Sequence, residues 1–259
     1  AKSLLGVNGT STGTGNTALG YNSGNAITTG SKNVIIGSNT GSTIATSDNN
    51  IIISDGDGNN RIQVDSDGNV GIGLSPSTVW STSYNALQIG LGGSIYAHKS
   101  AGSAMRMAAN VVYEGTAPNY DDKYLTTSTA SKYEQDSGNH TWSTAASGTI
   151  NTTIPWSERM RIDGTTGNVG IGTGSTIYAD LEIKRASEVT VALHNSSSIT
   201  SGNRGNISFY NSSVSTVALI KAVADTDDVG TALEFYTRPV GGSLTNSLNI
   251  SSGGAATFS

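Results

Sequence analysis

The chain has 259 residues, with 14 basic and 19 acidic side chains, a net charge of −5 and no cysteine. Scattered acidic charge offers no basic stripe that would release phosphate counterions, which argues against nucleic acid, and the absence of cysteine removes disulfides as staples. No run approaches the roughly 18 apolar residues of a membrane span, so membrane insertion is not expected. Leu, Ile, Val and Phe together number 52, about a fifth of the chain and close to the level at which chains stop folding alone. Strand patterning with so little apolar content predicts a core completed by copies of the same chain, a homo-oligomer.

Residues 1–60 form the first segment, a β-repeat region. Asn16, Asn33 and Asn50 lie 17 apart, each followed by a triplet: Thr17-Ala18-Leu19, Val34-Ile35-Ile36 and Ile51-Ile52-Ile53. A unit this short holds one or two strands and a turn, which is one coil of a β-solenoid or β-roll with stacked apolar triplets. Asparagines at equal phase are candidates for a hydrogen-bonded ladder. The start at Ala1, without Met, predicts a processed chain or part of a longer polypeptide.

A second phrase occurs twice and begins a third time. RIQVDSDGNVGIG lies in the connector 61–74, RMRIDGTTGNVGIG in the connector 159–173, and SLNISSGGAATF in the degenerate C-terminal copy, 247–259. Each alternates apolar with polar residues, turns at Asp, Gly and Asn, and resumes alternation with glycine on the opposite face, as a hairpin approached closely by another backbone requires.

Between the connectors, segment 75–158 holds all three Trp and six of the ten Tyr. Its expected strands are Ala86 to Ile89, Ser94 to Ala97, Met105 to Met107, Asn110 to Tyr113, Tyr124 to Thr127 and Thr149 to Ile154, with Ala117 to Lys123 and Ser137 to Asn139 as loops. Tyr and Trp offer rigid contact area with a polar handle. Tyr113, Tyr120, Tyr124, Tyr133, His140 and Trp142 are therefore candidate receptor contacts, against the alternative that such aromatics fill an oligomer core. Segment 174–246 reads as an antiparallel meander, with strands around Leu181, Val189 to Leu193, Ile207, Val217 and Leu233. Turns are expected at Ser196 to Asn206, Asp225 to Asp228 and Pro239 to Ser243. Very little helix is expected anywhere.

Chemistry finds little support. Asp55-Gly56-Asp57-Gly58-Asn59 and Asp65-Ser66-Asp67-Gly68-Asn69 begin like calcium loops but lack the twelfth-position Glu, so hairpin turns are favoured and no metal is expected. Asp121, Asp122, Glu134, Asp136 and Glu158 are the carboxylates available for glycoside hydrolysis, but nothing pairs them. His98, His140 and His194 lack a nucleophile elbow, and the Gly-rich stretches lack the strand-then-helix setting of a phosphate cradle. No catalytic residue and no cofactor are expected. The sequons at Asn8, Asn151 and Asn195 match chance occurrence.

GNTALGYNSGNAITTGSKNVIIGSNTG resembles the head repeats of trimeric autotransporter adhesins and related bacteriophage fibre repeats. RMRIDGTTGNVGIGT resembles the phrase that ends modules in phage tail fibres and precedes an endosialidase-type intramolecular chaperone. The resemblance implies an all-β, elongated homotrimeric fibre whose N-terminal solenoid is followed by interwoven antiparallel modules. It implies a virion tail fibre bound to other tail proteins and attached to a host surface glycan or protein receptor. It also implies that Ser259 lies near a chaperone cut, or else simply near the end of the ordered chain. A bacterial surface adhesin or filament subunit, a polysaccharide-degrading tailspike and a capsid or collar fibre are the competing implications.

Overall fold

The computed structural model describes residues 11–100, 102, 104–116, 119–191, 202–210, 216–224 and 231–258. The chain divides between Ser187 and Glu188 into two compact units. Both are β-structured, the first with a solenoid-like arrangement of coils, and among the described residues there is no α-helix. One 3-10 turn, Ser42–Ile44, occurs among the described residues.

The first unit opens with three coils. Strands β1 (Thr17–Leu19), β2 (Val34–Ile36) and β3 (Ile51–Ser54) pair in parallel, each residue standing on the one 17 positions earlier. The middle residue of β2 and β3 points inward, so Ile35 and Ile52 bury against Ile27 and Ile44. Beside them runs the asparagine ladder. Asn16 Oδ1 accepts from the Asn33 backbone N–H at 2.9 Å, and Asn33 Oδ1 from that of Asn50 at 2.8 Å. The Asn33 amide also donates to the Ser47 carbonyl at 2.8 Å. Asn33 is fully buried and each of its bonds replaces water that cannot enter.

The first connector follows. Strands β4 (Asn60–Val64) and β5 (Val70–Ile72) form the expected hairpin, and β6 (Tyr84–Ile89) returns parallel to β5. Leu87 stands on Val70, again 17 residues on, and Asn69 Oδ1 accepts from the Ala86 N–H at 3.0 Å. Asn69-Val70-Gly71-Ile72 is thus a further coil of the N-terminal type, with glycine where the second and third coils carry inward Ile35 and Ile52 and the first carries Ala18. A Cβ on Gly71 would lie 2.4 Å from the Leu74 carbonyl oxygen and 3.0 Å from Pro76, because the crossover chain passes there.

Strands β7 (Gly93–His98) and β8 (Ala104–Ala109) continue antiparallel, β9 (Val111–Thr116) and β10 (Asn119–Tyr124) form a separate hairpin, and β11 (Ala130–Asp136) and β12 (Asn139–Ala145) rejoin the main sheet. The second connector repeats the first: β13 (Ser157–Ile162) and β14 (Val169–Ile171) as hairpin, then β15 (Leu181–Ile183) parallel to β14. The main sheet has 13 strands.

Several expectations fail here. The stretch 117–123 was expected to be a loop, yet Asn119–Tyr124 is a strand, and its polar Asp121, Asp122 and Lys123 all find partners in the fold. Thr149 to Ile154 forms turns and one bridge instead of a strand, and Tyr124 ends β10 instead of starting a strand. Strands β11 and β12 were not expected, because their inward residues Lys132, Glu134, Thr141 and Ser143 are polar and hide the alternation.

Read across the sheet, directly opposed residues on one face run Val34, Ile51, Val64, Val70, Leu87, Ile95, Met107, Tyr133, Trp142, Met160, Ile171 and Ile183. A parallel row carries Leu19, Ile36, Ile53, Ile62, Ile72 and Ile89. Neither run contains a charge, and much of both is exposed: Ile36 41 %, Met107 52 %, Ile171 40 %. The opposite face holds Ile35, Ile52, Gln63, Gln88, Ser94, Ala108, Lys132 and Ser143 and is covered by loops and by β9.

The second unit is the antiparallel meander of β16 (Gly202–Tyr210), β17 (Thr216–Ala224), β18 (Thr231–Thr237), β19 (Thr245–Ile250) and β20 (Ala256–Phe258). The third copy of the connector phrase is the β19–β20 hairpin, closed by Ser251 N–H to Ala255 carbonyl at 2.9 Å just as Asp65 N–H bonds the Asn69 carbonyl at 2.9 Å. Val189–Val191 takes no strand conformation, and Leu181 pairs within the first unit. Residues 192–201 and 225–230, with Asn8, His194 and Asn195, lie outside the described residues.

The ladder yields a stability prediction. Asn33→Ala strands the buried Asn50 N–H, while the carbonyl of exposed Ser47 can turn to water, and should lower the unfolding free energy by about 1–3 kcal/mol. Urea titration followed by circular dichroism measures this. A loss below about 0.5 kcal/mol, the size of an ordinary surface substitution, would show that the ladder carries no weight.

Candidate functional site

The six candidate aromatic residues fall into two places. Tyr133 and Trp142 sit opposite one another on β11 and β12, ring centroids 5.0 Å apart, and His140 stacks on Tyr133 at 5.9 Å. The Tyr133 hydroxyl shares a hydrogen bond with His140 Nδ1 and accepts one from Gln135 Nε2 at 2.9 Å. Tyr133 and Trp142 belong to the uncharged row, flanked by Met107 on β8 and Met160 on β13, and His140 lies on the same face beside them, paired with Gln135 and Ile162.

Tyr124 lies in the core of the first unit, and the half-buried Tyr113 packs against it. Tyr124 is 1 % exposed and donates to the Ala146 carbonyl at 2.5 Å, so it is a packing residue with no surface for a receptor. Gly148 lies against its ring, where a Cβ would come within 2.1 Å of Cε2. Tyr113 packs on Tyr84 at 4.4 Å and on Tyr96 at 5.8 Å, with Trp80 at 5.2 Å from Tyr96 completing the aromatic cluster. The backbone of Tyr120 pairs with Gly115 in the β9–β10 hairpin, and its side chain lies outside the described residues.

Sequence reading missed what surrounds that cluster, a buried charged network. Asp122, 8 % exposed, accepts from the Tyr96 hydroxyl at 2.6 Å, from Trp156 Nε1 at 2.8 Å and from Lys132 Nζ at 3.0 Å. Lys132 also pairs with Glu134 at 3.1 Å, and Glu134 with Arg106 at 2.5 Å. Arg106 Nε and Nη1 are buried without a hydrogen-bond partner among the described residues, and the guanidinium lies 5.3 Å from the Tyr113 ring centroid and 5.8 Å from that of Tyr96. The ring faces add attraction to that of Glu134. Burial opposes the Arg106 charge, yet Glu134 and its neighbours hold the guanidinium above its ordinary value. Burial, then Asp122, pushes the Tyr96 phenol up, and burial with Tyr84 does the same for Tyr113. Two of the carboxylates weighed for hydrolysis, Asp122 and Glu134, are thus tied through Lys132 into a structural network.

The two candidate calcium loops are hairpin turns closed on themselves. Asp55 Oδ1 accepts from the N–H groups of Asp57 and Asn59 at 3.0 Å each, and Asp65 Oδ1 from Asp67 and Asn69 at 3.0 and 2.8 Å. Bonds from Asn59, with Arg61 beside them at 2.5 Å, hold the Asp55 carboxyl down at about 2. The second connector keeps the device: Asp163 Oδ1 accepts from Thr165 and Thr166, which lowers its carboxyl also.

Compared with protein-family models, with curated proteins and with solved structures, the chain matches none.

The raised Tyr96 and Tyr113 phenols predict an alkaline weakness. Above the ordinary tyrosine value of 10.0, the unfolded chain has lost phenolic protons that the fold still holds at Tyr96 and Tyr113. Stability present below pH 10 should therefore decline as pH rises through the folded values. Thermal melts from pH 8 to 12 should show the decline, and Tyr96→Phe should make it shallower while lowering the midpoint at pH 8, since Asp122 loses a donor. An unchanged slope in Tyr96→Phe would remove this tyrosine from the account.

Proposed function

We propose that the chain is a structural and adhesive fibre subunit, assembled as a homotrimer in a bacteriophage tail fibre and attaching the particle to a host surface. The observation that supports this most is the uncharged row across 12 strands of the main sheet, exposed in the single chain while the opposite face buries amides and charges. An apolar face of this extent on a soluble chain marks a protein interface. Copies of the same chain are its natural cover, because a row of identical register is self-complementary around an axis.

The number three and the virion setting come from the resemblance of the two repeated phrases to trimeric adhesin heads and phage fibre modules. In such an assembly the hairpin connectors set length, and identical sites on three chains gain avidity toward a repetitive surface polymer. Tyr133 and Trp142 then pack between chains as part of the row itself, with His140 beside them on the same face.

Light scattering tests the assembly. The expected molar mass is three times the 26.4 kDa of one chain. The double variant Ile36→Lys with Ile53→Lys, which places charges in the second apolar row, should shift the protein toward single chains. A wild-type mass of 26.4 kDa would remove the fibre reading.

A further inference from the structure

The asparagine ladder has an end, and the end is open. Asn16 and Asn33 each spend their side-chain oxygen on the backbone N–H of the next coil. Asn50 is the last of the three, because β4 turns back antiparallel on β3 and brings no further N–H to that phase. Its amide nitrogen donates to the Asp48 carbonyl at 2.8 Å and to Asn33 Oδ1 at 3.2 Å, while its Oδ1 has no partner among the described residues. Gln63, directly across from Ile52, is its converse. Gln63 Oε1 accepts from Asn60 Nδ2 and Ser75 Oγ at 2.7 Å each, and its Nε2 has no partner among the described residues. Both amides are 4 % exposed.

Asn50 and Gln63 line one cleft of about 340 Å³, together with Ile44, Pro76, Thr43 and Asp67. That volume lies at the lower end of the roughly 300–1,000 Å³ of small-molecule sites. Gln63 belongs to the covered face of the sheet, with Ile52 and Gln88, so the cleft stays clear of the apolar rows proposed to pack between chains.

We infer that this cleft binds a neutral sugar ring, with Asn50 Oδ1 accepting from one hydroxyl and Gln63 Nε2 donating to a neighbouring one. Its chemistry rejects other classes. No Lys or Arg lines it and two carboxylates do, which disfavours anions. Both oxygens of Asp65 are taken up by its own turn, which leaves too few free oxygens for the six or more that a calcium ion requires. Strands β3 and β4 are each paired on both sides, so no backbone edge is open to a peptide strand. Ile44 and Pro76 offer small apolar surface for the C–H face of a ring, and the exposed Asp67 carboxylate offers a further acceptor. An acceptor and a donor that no protein group among the described residues uses, held rigidly at the cleft, favour a ligand that completes them.

The site stands on the geometry of the first unit; its use as a host contact rests on the adhesive reading above. Saturation-transfer NMR of the full chain tests it, with methyl glycosides of glucose, galactose and N-acetylglucosamine as probes. Transfer to at least one is expected. Thr43→Trp, on the exposed 3-10 turn, should block the cleft without touching the fold, and Gln63→Glu, which removes the donor and keeps the acceptor, should weaken binding at least ten-fold. Absence of transfer to all three probes, or transfer that survives Thr43→Trp in a folded protein, overturns the proposal. Molar mass measured on the same samples keeps the two readings apart. A single chain that binds a glycoside removes the fibre and keeps the cleft, and a trimer without transfer does the reverse.

Discussion

In-register pairing of short strands is the constraint on which the first unit depends. When Val34 stands on Thr17 and Ile51 on Val34, whatever occupies one phase of the coil is stacked on its counterpart in the next. An inward isoleucine then builds a column, and an inward asparagine builds a ladder, because each side-chain oxygen meets the N–H of the following coil at 2.8–2.9 Å. Burying an amide alone would cost about 1–3 kcal/mol, but burying it in a ladder satisfies it by repetition. Polar residues are tolerated inside this sheet for that reason.

The same constraint lets polar side chains sit among the apolar core on the covered face while an uncharged row faces outward, unlike an ordinary one-sided sheet, which keeps apolar residues in and polar residues toward water. Here Gln63, Gln88, Ser94, Lys132 and Glu134 face the covered side, while an aliphatic and aromatic row faces outward. Side chains alternate with period two, so a slip of one residue at any of the 13 strands would reverse the two faces. The chain keeps the uncharged row through the change from parallel coils to antiparallel strands, across a bulge between Trp142 and Ser143, and through both connectors. Such consistency over separately built hairpins is what the proposed packing between chains requires.

Much of this architecture was legible in the sequence. The 17-residue period placed β1 to β3, and the repeated phrase placed all three hairpins, since glycine at Gly71 and Gly170 is where a crossover chain must pass. The kinship of the two repeats was not seen, because Asn-Val-Gly-Ile-Gly hides the inward isoleucine of Asn-Val-Ile-Ile-Gly behind a glycine. Strands β11 and β12 were invisible for another reason: apolar alternation is a proxy for burial, and their inward positions bury ions paired to Arg106 and Asp122. Of the aromatic candidates, composition identified the right segment but could not assign faces, so core residues such as Tyr124 were grouped with row residues such as Trp142. The open amides of Asn50 and Gln63 carried no sequence signal of their own; Asn50 differs from Asn33 only in having no coil after it.

That last difference is general to repeat structures. A ladder of identical rungs is satisfied everywhere except at its ends, so the interior of the repeat can be chemically silent while its final rung presents an acceptor held rigidly by the rungs behind it. Asn69 shows the alternative ending, since its oxygen is closed by the Ala86 N–H where β6 resumes the parallel direction. Asn50 is left open because the β3–β4 hairpin reverses the chain, and the reversal also brings Gln63 to its side with a donor. A preorganised donor and acceptor, fixed by backbone pairing on both flanks, lose little entropy when a ligand arrives. A shift of strand direction, more than any particular residue, is what converts a structural repeat into a binding geometry here.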